Sequence, residues 1–82
     1  MAEQDINIGA IFGEVLRAAR ERAGISQEEL AFRAGIDRTF VSRLERGIRQ
    51  PTITTLIGLS SALDVSATVL VREVEDAMLV GK

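Results

Sequence analysis

The sequence predicts an all-α domain of five short helices, and three observations predict it. Apolar residues recur three and four positions apart in five separate runs. Four of those runs are preceded by a side chain able to cap a helix N-terminus: Ser26, Asp37, Thr52 and Ser66. The 82 residues are 46% apolar with a single proline, which suits one small core and argues against disorder.

The first helix is expected from Asn7 or Ile8 to Ala23. Ile8, Ile11, Phe12, Val15, Leu16 and Ala19 form one face, and Gly24 ends the helix from its C′ position. The second starts at a capping box, with Ser26 as N-cap and Glu29 at N3. Ile25 staples onto Leu30; Leu30, Ala31 and Ala34 face inward, and Gly35 stops the helix after roughly two turns. The turn Gly35-Ile36-Asp37 then needs a left-handed glycine, an apolar residue tucked into the core and an N-cap. Turns this short join two helices at a steep angle.

The third helix is expected from Arg38 to Arg46, ended by Gly47. At about 100° per residue, Arg38, Thr39, Ser42, Arg43 and Arg46 fall in one arc. Phe40, Val41 and Leu44 take the opposite arc, with Glu45 at its border. A solvated helix surface usually mixes charges, as the second helix does; this one offers only hydrogen-bond donors and cations. Such a face suits the major groove of DNA, which admits an α-helix and presents base-edge acceptors to it.

A loop containing Arg49 leads to Pro51, and Thr52 caps a fourth helix reaching about Leu63. Its apolar pattern is Ile53, Leu56, Ile57, Leu59, Ser60 and Leu63. After Asp64-Val65, Ser66 caps a fifth helix over about 67–79, striped with Ala67, Leu70, Val71, Val74, Ala77 and Met78. Val69, Leu79 and Val80 add apolar surface beyond what one small core requires, which predicts burial in a homodimer. Val69, Val71, Val74, Met78 and Leu79 are the expected interface residues. The domain reading is a flexible tail at 1–7 and a single domain over 8–82.

Charge distribution supports a nucleic-acid partner despite a net charge of −2. Residues 17–50 hold eight arginines against five acids, while the segments on either side are net acidic. Nine of the ten basic residues are arginine, the side chain suited to bidentate contact with guanine and phosphate. The absence of cysteine and histidine removes disulfides, thiolate metal sites and the commonest general base, so no metal, no cofactor and no catalysis are expected. No membrane span or signal-like N-terminus is legible, and a cytoplasmic protein is expected.

The runs FGEVLRAARERAGISQEELA, AGIDRTFVSRLERG and PTITTLIGLSSALDVS, from about Phe12 to Val71, resemble the Xre and lambda-repressor-like helix-turn-helix family. Within it, IDRTFVSRLERGIRQPT is most similar to controller proteins of restriction–modification systems. The resemblance implies a five-helix domain that binds double-stranded DNA as a symmetric dimer. It implies base reading by Arg38, Thr39 and Arg43, with Phe40 and Ser42 as subsidiary positions. Gln27 matches a glutamine that contacts phosphate and braces the recognition helix, Arg46 and Arg49 match backbone-contacting positions, and Arg17 is added to them as a phosphate ligand. Arg20 and Glu45 match a buried ion pair between the first and third helices. Two positions depart from the pattern. Asp64 stands where Gly or Asn usually ends the fourth helix, and Phe32 takes an outward position that is usually polar. Phe32 has two readings: a single exposed apolar residue, which is common, or an anchor beside Glu28 for RNA polymerase.

The expected function is thus a sequence-specific transcriptional regulator on a pseudo-palindromic operator, with two recognition helices about 34 Å apart. An antitoxin or a protein–protein adaptor of the same fold is the alternative.

Overall fold

The computed structural model describes residues 7–80 and consists of α1 (Ile8–Arg22), α2 (Gln27–Ala34), α3 (Arg38–Glu45), α4 (Ile53–Ala62) and α5 (Ala67–Val80). The all-α, five-helix expectation is met. The proposed tail at 1–7 lies outside the described residues except for Asn7. That residue is the N-cap of α1, its side-chain oxygen accepting from the Ala10 amide at 2.9 Å.

Caps fix most of the boundaries. Ser26 accepts from the Glu29 amide at 3.0 Å, and Thr52 from the Thr55 amide at 3.1 Å. Ser66 accepts from the Val69 amide at 3.3 Å. Two caps differ from expectation. The capping box at Ser26 is only half made, because the Glu29 carboxylate turns along the helix to take Arg33 Nε at 2.7 Å. Asp37 holds the N-cap of α3 by its extended backbone alone, with no side-chain cap bond. Asp64 adopts the left-handed conformation at φ 59°, as its place in the sequence requires.

The core is built from Phe12, Leu16, Leu30, Val41, Leu44, Leu59 and Leu70, closed by Ala19, Ala31, Leu63 and Val74. Helix α1 packs on α3 and α5, α2 on α3 and α4, and α4 on α5. At the α1–α3 contact the two backbones approach closely. A Cβ placed on Gly13 would stand 2.6 Å from the Leu44 carbonyl oxygen and nearer still to that of Glu45. At Gly47, φ is +77° and a Cβ would stand 2.9 Å from Ala10 Cα. Two glycines therefore let the end of α3 lie directly on α1. The sequence reading missed Gly13, although a glycine inside an apolar helical run is itself a signal of close approach.

The apolar stripes of α4 and α5 are wider than the core uses. Leu56, Leu59, Ser60 and Leu63 form the inward side of α4, while Ile53 and Ile57 flank it and remain 71% and 54% exposed. On α5, Leu70 and Val74 are buried and Met78 packs against the core. Val71 flanks α5 on the side of α4, and the two flanks form a groove lined by Ile53, Leu56, Ile57, Ala67 and Val71. No single helix among the described residues is long and apolar enough to cross a membrane.

Candidate nucleic-acid interface

The α2–turn–α3 unit sets the site. Gly35 ends α2 at φ 72°, a conformation that lets its amide return to the Phe32 carbonyl and the Ile36 amide to that of Ala31. Ile36 then packs against the core, and α3 begins immediately at Arg38. Val41 and Leu44 are fully buried under α3, so its opposite side is forced outward. Arg38, Thr39, Arg43 and Arg46 are exposed on that side, with Ser42 half-buried among them. Phe40 packs partly into the core, and its edge joins Ile36, Asp37, Thr39 and Arg43 around a shallow concavity on the outer side of α3.

The Arg side chains differ in how they are held. Arg46 Nε donates to Ser42 Oγ at 3.2 Å, and Arg38 Nη1 to Gln27 Oε1 at 3.5 Å. Arg17, on α1, pairs along its own helix with Glu21 at 3.2 Å. The side chains of Arg43 and Arg49 make no hydrogen bond or ion pair among the described residues and stand exposed.

Beneath this face lies the pair expected between Arg20 and Glu45. Arg20 Nε donates to Glu45 Oε2 at 2.6 Å and Nη2 to Oε1 at 3.1 Å, a two-pronged contact. The two side chains are only 13% and 4% exposed. Arg20 Nη1 also donates to the Ile25 carbonyl at 2.9 Å, so one guanidinium joins α1, the start of α2 and the end of α3. Donating to the Glu45 carboxylate raises the Arg20 pKa above its ordinary value against the opposing effect of burial. Gln27 Nε2 donates to Glu45 Oε1 at 3.0 Å, connecting the buried pair to the surface.

The five residues expected at a dimer interface do not form one face. Val74 is buried in the core, and Met78 is partly committed to it. Val69 and Val71, two residues apart, point about 160° from each other around the helix. Val71 shares the α4–α5 groove, whereas Leu79 stands exposed outside it. Ile53 and Ile57, part of the apolar pattern of α4, supply the groove's other wall. On α2, Phe32 is 82% exposed, one turn after the exposed Glu28. No group of three or more metal-ligating side chains is found among the described residues.

Residues 16–70 match the helix-turn-helix family. An uncharacterised transcriptional regulator of this type from Mycobacterium tuberculosis is 41% identical over 71% of this chain, and the match spans 41% of that protein's length. The control protein C.BamHI of Bacillus amyloliquefaciens is 38% identical over 72% of this chain and 74% of its own. Among solved structures, the restriction–modification controller protein C.AhdI from Aeromonas hydrophila superposes with a TM-score of 0.73. It is 41% identical and covers 74% of this chain and 92% of its own.

Proposed function

The chain belongs to the helix-turn-helix family, in its Xre-type branch and close to restriction–modification controller proteins, and from that premise we propose that it binds a pseudo-palindromic operator as a homodimer and regulates its own promoter. It is a sequence-specific DNA-binding regulator, in a family of transcriptional regulators rather than enzymes.

The observation that carries the reading is the outer face of α3. Buried Val41 and Leu44 turn Arg38, Thr39 and Arg43 outward on a helix fixed from two sides. Arg38 and Arg43 read guanine N7 and O6, and Thr39 meets a thymine methyl. Arg46, Arg49 and Gln27 take phosphates and set register without specifying sequence. The acidic remainder of the chain weakens binding at wrong sites, because phosphate attraction is the part of affinity that does not depend on sequence.

Dimerisation is supported by the α4–α5 groove. Arg72 and Glu75 line it alongside the exposed Ile53, Ile57 and Val71. A two-fold axis makes such a surface self-complementary, setting each Arg72 against Glu75 of the second copy. The groove thereby replaces the face first expected on α5 alone.

Selection from random duplex DNA, with the bound product sized by light scattering, tests the whole reading. A pseudo-palindrome with half-sites about one helical turn apart, held by two copies, is the expected result. Absence of enrichment, with a monomeric protein, would overturn it and favour an adaptor or antitoxin.

A further inference from the structure

Asp37 holds the N-cap position of α3 without using its carboxylate. Its backbone carbonyl accepts from the Phe40 and Val41 amides, while its side chain makes neither a cap bond nor an ion pair among the described residues. Aspartate is favoured at an N-cap because its side-chain oxygen takes an amide of the first turn. Here that contact is not made, and the exposed residue stands on the concavity beside α3. Ile36 and Phe40, half-buried against the core, line the same concavity, as do the exposed Thr39 and Arg43. One hollow therefore combines an apolar floor with a carboxylate from the start of α3 and a guanidinium from further along it.

The carboxylate is out of place on a surface that otherwise offers donors and cations. It can only accept hydrogen bonds, and it is repelled by phosphate. The donors that the major groove presents are the amino groups of cytosine and adenine. Cytosine sets its N4 amino group beside C5, an apolar edge that suits the floor. Adenine sets its amino group beside N7, an acceptor that the floor would leave without a partner.

We propose that Asp37 is a specificity-determining residue that reads cytosine: its carboxylate accepts from the N4 amino group, and the C5 edge of the same base rests on Ile36 and Phe40. This rests on the DNA-binding reading of α3 and adds a base contact opposite in polarity to those of the arginines. Thymine offers the same edge with a methyl group, but presents the acceptor O4 where cytosine presents N4. The floor thus admits both pyrimidines, and the carboxylate chooses between them.

The test measures affinities for the selected operator and its base variants, with wild type and with Asp37→Ser, which removes the charge but leaves a residue able to cap α3. Wild type should prefer cytosine over thymine at one position by about five- to 150-fold, the usual worth of one base pair. Asp37→Ser should lose most of that preference there and nowhere else. Modified bases probe the wild-type protein directly. N4-methylcytosine keeps the proton paired with guanine and replaces the one facing the groove by a methyl group. At that position it should weaken wild type by about five- to 150-fold, and this loss should vanish in Asp37→Ser. 5-Methylcytosine, whose methyl meets the apolar floor, should bind wild type at least as tightly as cytosine. Tighter binding of Asp37→Ser to every sequence alike would overturn the proposal and leave Asp37 a surface acid that repels phosphate. So would a loss with N4-methylcytosine that Asp37→Ser retains, or weaker binding of 5-methylcytosine. A wild-type protein with no preferred duplex would instead overturn the DNA-binding reading beneath it.

Discussion

The Arg43 guanidinium stands free of any partner among the described residues, while that of Arg46 leans on Ser42, and this difference separates two kinds of DNA contact. Arg43→Ala should cost about 1–3 kcal/mol of binding and relax specificity at one position of the operator. Arg46→Ala should weaken all sequences alike and reduce the slope of affinity against salt by about one ion. Binding isotherms on an operator panel at several salt concentrations distinguish the two, and exchanged behaviours would exchange the assignments. Phe32→Ala should leave these isotherms unchanged, since its ring is exposed on α2 and outside the concavity on α3. The Arg20–Glu45 pair belongs to stability instead. Glu45→Ala strands a mostly buried guanidinium and should cost about 3–5 kcal/mol in chemical denaturation. Its pH dependence follows from the raised Arg20 pKa. A cation whose pKa is higher when folded contributes fully below its unfolded value and loses that contribution as pH rises through the folded one. The stability gap between wild type and Glu45→Ala should therefore hold from neutral pH through the mildly alkaline range. A gap that closes near pH 9 would show that some other group is responsible.

At the scale of elements, glycines decide how α3 is presented. Gly13→Ala would gain about 1 kcal/mol of helix propensity in an open helix. Here the new methyl meets the carbonyls of Leu44 and Glu45, which are backbone and cannot rotate away. Overpacking of this kind costs about 1–3 kcal/mol and should win. Thermal melting should fall, and operator affinity should fall further because α3 is pushed off α1. Gly9→Ala is the control: its methyl meets the flexible Gln50 side chain at 3.3 Å and the Gly47 carbonyl oxygen at 3.4 Å, an ordinary contact distance, and stability should not fall. Equal effects from both substitutions would show that the α1–α3 approach is not what positions the helix. These contacts also mark where sequence reading stopped. All five helices were legible because each announces itself locally, through a cap, a stripe or a terminating glycine. The outer face of α3 was legible because donors and apolar residues divide cleanly around one helix. Whether Glu29 closes its capping box was not, since the same carboxylate has Arg33 one turn away as a rival. The close approach at Gly13 depends on which helix crosses it, and periodicity within one helix carries no such information.

At the scale of the molecule, the sequence showed a surplus of apolar residues but not where the surplus would be left. Counting stripes placed Ile53 and Ile57 in one apolar pattern with Leu59 and Leu63 and expected Val74 at an interface, whereas the packing leaves the two isoleucines exposed and buries Val74. The reason is geometric: α4 and α5 each meet the core along one line, so residues flanking that line stay outside however apolar they are. The two flanks adjoin, which concentrates Ile53, Ile57 and Val71 in one groove beside Arg72 and Glu75. The proposed dimer makes this groove testable without disturbing the fold, because Ile57 is more than half exposed in the single chain. Ile57→Glu should give a folded monomer, with a melting temperature that no longer rises with protein concentration. It should bind a single half-site as wild type does, yet lose affinity for the full operator, where two linked half-sites reinforce each other. The charges offer a second check. Glu75→Arg alone should weaken the dimer by placing like charges across the two-fold axis, and adding Arg72→Glu should restore it. A dimer untouched by Ile57→Glu would move the interface elsewhere. Restoration by the double exchange is harder to explain by any contact other than a reciprocal one, because neither substitution repairs an interaction within the single chain, where Arg72 and Glu75 form no ion pair among the described residues.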